Sequence, residues 1–215
     1  MLKGAIFDLD GTLVDSMQFW ETLGADYLKL LGYEPPENIN DIFKTFSIPQ
    51  AIDYYQNKCN VKLSVKEIAD GINQMLYSAY SKKIMPKNGV IAFLDILKAN
   101  GVKMCIVTSN TRYLAETVLK KNSMDSYFSK IFTVESCKTA AYRTALEYLG
   151  TKKSDTVIFE DAFYAIKEAK KDGFLTAGVY DNSAENPEQI KQLSDIYISD
   201  YSDMKNFWKL AASLN

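Results

Sequence analysis

The chain has 215 residues, of which 25 are basic and 27 acidic, with a net charge of −2 and 47% hydrophobic residues; that is enough for one domain of ordinary size plus a smaller one. The near balance of charge carries no polybasic signature for nucleic acid or an anionic membrane. Histidine is absent, which excludes Ser-His-Asp and Cys-His triads and any site that needs imidazole ligands.

Residues 2–9 form a mostly apolar run, interrupted ahead of Asp8 only by Lys3 and Gly4, the pattern of a strand buried on both faces. It empties into Asp8 and Asp10, two carboxylates at i and i+2, and Gly11 lets the chain turn sharply. Carboxylates held so close repel, so this turn calls for a cation. From Ser16 the pattern becomes helical. Ser16 caps a stretch in which Phe19, Trp20, Leu23, Tyr27, Leu30 and Leu31 recur at three- and four-residue steps, and Gly32 stops it. Pro35-Pro36 makes a loop. Two capping boxes, Ser47-x-x-Gln50 and Ser64-x-x-Glu67, then open further helices.

Beyond Met85-Pro86-Lys87-Asn88-Gly89 the chain alternates helix and strand. Helices are predicted over residues 90–99, 111–121, 140–149, 162–171, 187–193 and 204–212. Strands are predicted ending at Thr108 and over 131–134, 156–159, 174–180 and 196–198. Such alternation means a parallel sheet with right-handed crossovers. The first strand belongs to that sheet, so residues 16–84 are an insertion between residues 1–15 and 85–215.

Three of the apolar runs end in chemistry-bearing residues: Asp8 with Asp10, Thr108, and Glu160-Asp161. Ligands of open α/β sheets bind outside the carboxyl ends of the strands, and converging carboxylates and hydroxyls suit Mg²⁺ and a phosphoryl group. The basic pairs Lys120-Lys121, Lys152-Lys153 and Lys170-Lys171 are read as solvated lysines. Cys59, Cys105 and Cys137 are odd in number and widely spaced, so neither a disulfide framework nor a CxxC zinc site is indicated. Cys137, next to Lys138, is read as a small residue filling a gap. Reduced thiols, no room for a signal peptide ahead of Asp8, and no long apolar window make a cytoplasmic protein the expectation.

The string Phe7-Asp8-Leu9-Asp10-Gly11-Thr12-Leu13-Val14-Asp15-Ser16 resembles the first motif of the haloacid dehalogenase superfamily, most of whose members are magnesium-dependent phosphotransferases. Val102-Lys103-Met104-Cys105-Ile106-Val107 ending in Thr108-Ser109-Asn110 is similar to the second motif. Thr156-Val157-Ile158-Phe159 ending in Glu160-Asp161 is similar to the fourth. Lys138 stands where the third has its lysine, although Cys137-Lys138-Thr139-Ala140-Ala141-Tyr142 is shorter than the usual Lys-Pro-x-Pro-Asp. Ala162 and Ala165 stand where relatives often carry Ser and Gly.

The resemblance implies an α/β, Rossmann-like three-layer core with a mainly parallel sheet, and an inserted all-helical C1 cap that opens and closes. The crossings near Asp15-Ser16 and residues 86–89 are then hinge candidates. It implies a phosphomonoester hydrolase acting on a small phosphorylated metabolite such as a sugar phosphate. Asp8 would be the nucleophile and Asp10 the general acid and base. Mg²⁺ would be held by Asp8, the backbone carbonyl of Asp10 and Asp161, with Glu160 as a further carboxylate. Thr108, Ser109, Asn110 and Lys138 would bind the phosphoryl group. Phe19, Trp20, Thr45, Ser47, Gln50, Lys82 and Lys83 are the cap residues from which substrate contacts would be drawn. Two alternatives remain. One is a sugar phosphomutase resembling β-phosphoglucomutase, which uses a cap histidine and a cap arginine, whereas this chain has no histidine and no arginine before Arg112. The other is a degenerate member that binds phosphate or a partner without turnover. A small-molecule substrate, no nucleic acid, no membrane and a monomer complete the expectations.

Overall fold

Six strands form one parallel sheet in the order β3-β2-β1-β4-β5-β6: β1 (Gly4–Phe7), β2 (Lys103–Thr108), β3 (Ile131–Thr133), β4 (Thr156–Glu160), β5 (Leu175–Val179) and β6 (Ile196–Ile198). The computed structural model describes residues 1–43, 46–134 and 137–214, in two compact units, residues 1–15 with 84–215 and residues 16–83.

Helices cover both faces of the sheet, which is why its central strands are apolar without alternation. On one face Ile6, Cys105, Val107 and Ile158 pack with Tyr142, Ala145 and Leu149 of α7 (Lys138–Leu149), Ala169 of α8 (Phe163–Lys171) and Phe174. On the other, Phe7 stacks on Phe159 at 4.3 Å and 17°. Phe93 of α5 (Val90–Ala99) and Phe207 of α10 (Lys205–Ser213) close over this pair. Burying each such ring contributes about 1.5–3 kcal/mol. The register sets Phe7 beside both Ile106 and Phe159, so Asp8, Thr108 and Glu160 emerge at the same edge. There β1 is flanked by strands reached in opposite directions along the sheet, the switch point where α/β folds bind ligands.

The two passages between units are paired with each other on the sheet side. Val14 forms an antiparallel bridge with Pro86, Asp15 N–H donates to Met85 O at 2.9 Å and Lys87 N–H to Leu13 O at 2.9 Å. Gly89, at φ +78°, closes this corner: a Cβ there would meet Ser202 N at 2.5 Å, and only glycine tolerates both the dihedral and the approach.

The insert holds α1 (Met17–Leu30), α2 (Ile39–Phe43), α3 (Ile48–Asn57) and α4 (Val65–Lys82). The α4 start is a complete capping box, with Glu67 Oε2 accepting from Ser64 N–H and Oγ–H and Glu67 N–H donating to Ser64 Oγ. The core of the insert is aromatic: the Tyr27 and Phe43 rings lie 5.4 and 5.1 Å from Tyr55, whose hydroxyl donates to Gly24 O at 3.0 Å. Two expectations change here. Helix α2 falls in a stretch for which the sequence predicts no element, being too short for its period to show. Leu30 is exposed while Leu28 is buried, because residues two apart on a helix point to nearly opposite sides. Among the described residues no helix is long and apolar enough to cross a membrane.

Candidate active site

Asp8 is the first residue past β1, anchored by its N–H donating to Phe159 O at 2.9 Å, and it is 6% exposed. Gly11, at φ +75°, turns the chain back so that Val14 N–H and Leu13 N–H both reach Leu9 O. The loop is a tight knot of backbone hydrogen bonds presenting its carboxylates rather than a solvated turn. Glu160 ends β4 and Asp161 follows it, at 0% and 8% exposure. One carboxylate oxygen from each of Asp8, Glu160 and Asp161 lies within 4.8 Å of the others.

One ammonium joins two of them. Lys138, the first residue of α7, is buried, with Nζ bonded to Glu160 Oε1 and 3.0 Å from Asp8 Oδ1. That second contact has an ion pair's distance without hydrogen-bond geometry, and among the described residues no donor satisfies Asp8 Oδ1. The other carboxylates are held by neutral donors. Tyr142 O–H donates to Glu160 Oε1 at 2.9 Å and Ala162 N–H to Oε2 at 3.0 Å. Thr12 O–H donates to Asp161 Oδ1 at 2.6 Å, and Thr12 O accepts in turn from the buried Tyr201 hydroxyl at 3.2 Å.

Three carboxylates against one ammonium leave excess negative charge among largely buried groups. Burial, opposed by Lys138 and reinforced by Glu160, Asp161 and Asp10, pushes the Asp8 carboxyl well above the usual range. Burial and then Glu160 push Asp161 up to about 7, against the Thr12 hydrogen bond and Lys138. Burial works against the Lys138 ammonium, but Asp8 and Glu160 outweigh it and hold the ammonium above its ordinary value. Tyr142 is pushed up by burial and by Glu160, so its hydroxyl stays a donor. A hard divalent cation fits this set: the donors are all oxygen, Asp8 Oδ1 has no hydrogen-bond donor among the described residues, one oxygen of each carboxylate lies within 4.8 Å of the others, and two positive charges would offset the excess.

Residues 5–179 match the haloacid dehalogenase-like hydrolase family. The chain belongs to that family. Among proteins of similar sequence is pyrophosphatase PpaX of Bacillus velezensis, 26% identical over 189 residues that cover 81% of each chain. Among solved structures, a Thermotoga maritima protein provisionally designated a β-phosphoglucomutase superposes with a TM-score of 0.83 at 19% identity, covering 97% of this chain and 99% of that one. CbbY from Rhodobacter sphaeroides, solved with phosphate, gives 0.76 at 16% identity, covering 95% and 97%. At these identities the structures show the shared fold.

Against the family's motifs, the residues expected to meet do so unevenly. Asp8, Glu160 and Asp161 form the acidic trio, and Lys138 reaches two of them. The Asp10 carboxylate does not join the trio, since its Oδ2 accepts from Asn110 Nδ2 at 2.9 Å. Asn110, expected on phosphate, therefore has its amide on Asp10, with its Oδ1 accepting from Thr111 N–H. Thr108 is buried at the end of β2, its Oγ1 accepting from Asn110 N–H at 3.1 Å. Thr111, not Thr108, caps α6 (Arg112–Lys121). Ser109 is exposed. Cys137 is exposed too rather than filling a gap, since it stands at the N-cap position of α7; the Ala140 and Thr139 N–H groups hold its thiol below the usual value.

Of the insert residues considered for substrate, Ser47 and Gln50 are engaged with each other in a cap, Trp20 Nε1–H donates to Tyr80 at 2.8 Å, and Thr45 lies outside the described residues. Thr12 and Tyr142 carry no sequence signal for their roles beyond position: Thr12 stands inside the first motif, and Tyr142 one helical turn after Lys138.

Proposed function

We propose that this chain is a magnesium-dependent phosphomonoester hydrolase working through an aspartyl-phosphate. The observation that carries the reading is the buried trio Asp8, Glu160 and Asp161, under-neutralised by Lys138 alone at the carboxyl ends of β1 and β4. An Asp8 carboxylate oxygen attacks phosphorus in line and the bond to the leaving oxygen breaks, leaving phosphate esterified to Asp8. Asp10, held by Asn110, gives its proton to the leaving oxygen. It then takes one from a water that attacks phosphorus and breaks the bond to Asp8, which releases inorganic phosphate. Lys138 and the Thr108 hydroxyl hold phosphoryl oxygens as charge moves from the equatorial oxygens to the leaving group. Mg²⁺, with Asp8, Glu160 and Asp161 as its protein carboxylates, would screen the approach of one anion to another.

The name of the Bacillus velezensis relative favours pyrophosphate as a second substrate class, cleaved by the same steps with phosphate as leaving group. The mutase reading is disfavoured because the chain has no histidine and its first arginine is Arg112. Release of phosphate from p-nitrophenyl phosphate, a sugar-phosphate panel and pyrophosphate, each with Mg²⁺, tests the reading. Wild type is expected to turn over, and Asp8→Asn to lose at least about a thousandfold in kcat. An inert wild type, or an equally active variant, would sink the nucleophile assignment.

A further inference from the structure

We propose that Tyr142 is a positioning residue of this site: its hydroxyl fixes which Glu160 oxygen Lys138 occupies and so leaves Glu160 Oε2 and Asp8 disposed for a cation. The inference rests on the magnesium reading above and deepens it.

The shortened third motif makes this possible. With no proline after Lys138, the lysine is itself the first residue of α7, and a residue four positions on lies on the same helical face. Both Lys138 Nζ and Tyr142 O–H reach one atom, Glu160 Oε1. A carboxylate oxygen has two lone-pair sites, so Oε1 is saturated. Among the described residues Oε2 accepts from Ala162 N–H alone, which leaves one of its sites open.

Without the hydroxyl, Oε1 would regain an acceptor site, and the carboxylate could turn about its last torsion. Lys138 would then be free to redistribute toward Asp8 Oδ1, which has no hydrogen-bond donor of its own. Packing alone does not require a tyrosine here. The ring is fully buried, edge-on to Phe174 at 6.2 Å and 65°, and phenylalanine would fill that volume equally well, so the hydroxyl is the part that acts on the site.

The test is a double-mutant cycle of Tyr142→Phe and Glu160→Ala in the full chain, read by calorimetric titration of Mg²⁺ alone and by steady-state kinetics with p-nitrophenyl phosphate. Tyr142→Phe is expected to weaken Mg²⁺ binding about tenfold, the usual scale for losing an outer partner of a metal ligand. It should lower kcat with KM little changed, and add almost nothing in the Glu160→Ala background, where the hydroxyl has lost its acceptor. Wild-type Mg²⁺ affinity in Tyr142→Phe overturns the proposal, and so does an equal loss in both backgrounds, which would mean the ring acts through packing. If Tyr142→Phe alone fails to fold, the double variant compared with Glu160→Ala supplies the decisive pair, since equal affinities there support the proposal and a further loss overturns it. A wild type that binds no Mg²⁺ overturns the underlying reading itself, a different result from an unaffected variant of a magnesium-binding enzyme.

Discussion

Two buried charge clusters sit in the sheet-bearing unit, and they are built to opposite standards. At the corner after the insert, Lys87 Nζ lies 2.9 Å from Asp15 and 2.7 Å from Asp181. Asp181 Oδ1 accepts from both Ser183 N–H and Ser183 O–H. Burial works against the Lys87 ammonium, but its bonds to Asp181 and Asp15 hold it above its ordinary value. Asp15 is largely exposed, so the buried part is one carboxylate and one ammonium, each fully partnered. The Asp8 cluster has three buried carboxylates, one ammonium and an oxygen without a donor. Desolvating a charge without compensation costs several kcal/mol. A fold that satisfies one cluster and leaves the other short is what the proposed magnesium site calls for.

The sharpest way to break this contrast is to remove each lysine. Lys138→Met is expected to lower kcat on p-nitrophenyl phosphate about 100- to 1,000-fold, the scale of losing one preorganised donor at a charged reacting group. If it instead retains wild-type turnover per folded molecule, the two clusters are alike and Lys138 is structural.

Lys87→Met should do the reverse. Leaving Asp181 buried without its cation is expected to cost about 3 kcal/mol in urea unfolding, the scale for breaking a buried pair from one side. Turnover of the folded enzyme should stay within about threefold, since this lysine takes no part in the chemistry. A turnover loss larger than that, or no loss of stability, would show that the corner cluster is coupled to the chemistry or is not structural.

The smallest effect is a pH dependence confined to the under-neutralised cluster. Asp161 is raised to about 7, so in the metal-free fold it keeps its proton below that pH, and a cation must displace it. Apparent Mg²⁺ affinity is therefore expected to rise with pH by at least about tenfold per unit up to about pH 7, as for release of the Asp161 proton together with any that the raised Asp8 carboxyl holds. For the metal-free chain the sign is opposite. A carboxyl raised above its unfolded value of about 3.9 contributes stability that is present below that pH and lost as pH rises through about 7. Titrations in two buffers of different ionisation enthalpy count the proton directly, and an affinity flat across this range would remove the assignment.

Much of this site is legible in one dimension because its parts sit at strand ends. An apolar run that stops in a carboxylate marks a strand and its chemistry together, and strand-helix alternation obliges those ends to lie along one edge. That is why Asp8, Thr108, Glu160 and Asp161 could be nominated without coordinates. The insert was less readable: helix α2 is too short to display a period, and Leu30 and Leu28 differ only in which way a single turn faces. Lys138 was readable from its place in the motif order, whereas its position on the first turn of α7, with Tyr142 above it, depended on the loop being short.

The sequence by itself determined the parallel α/β core, the helical insert, the family and the acidic residues at the ends of β1 and β4, since each follows from local periodicity or from a motif within a few residues. Only the tertiary structure decided how charges and donors were shared out. It assigned Asn110 to Asp10 across 100 positions and Thr12 to Asp161 across 149, and it placed Tyr142 and Lys138 on one oxygen of Glu160. Hydrogen bonds reach only about 3 Å, so partners so distant in the chain are selected by the folded backbone and leave no periodic trace in the residues between them.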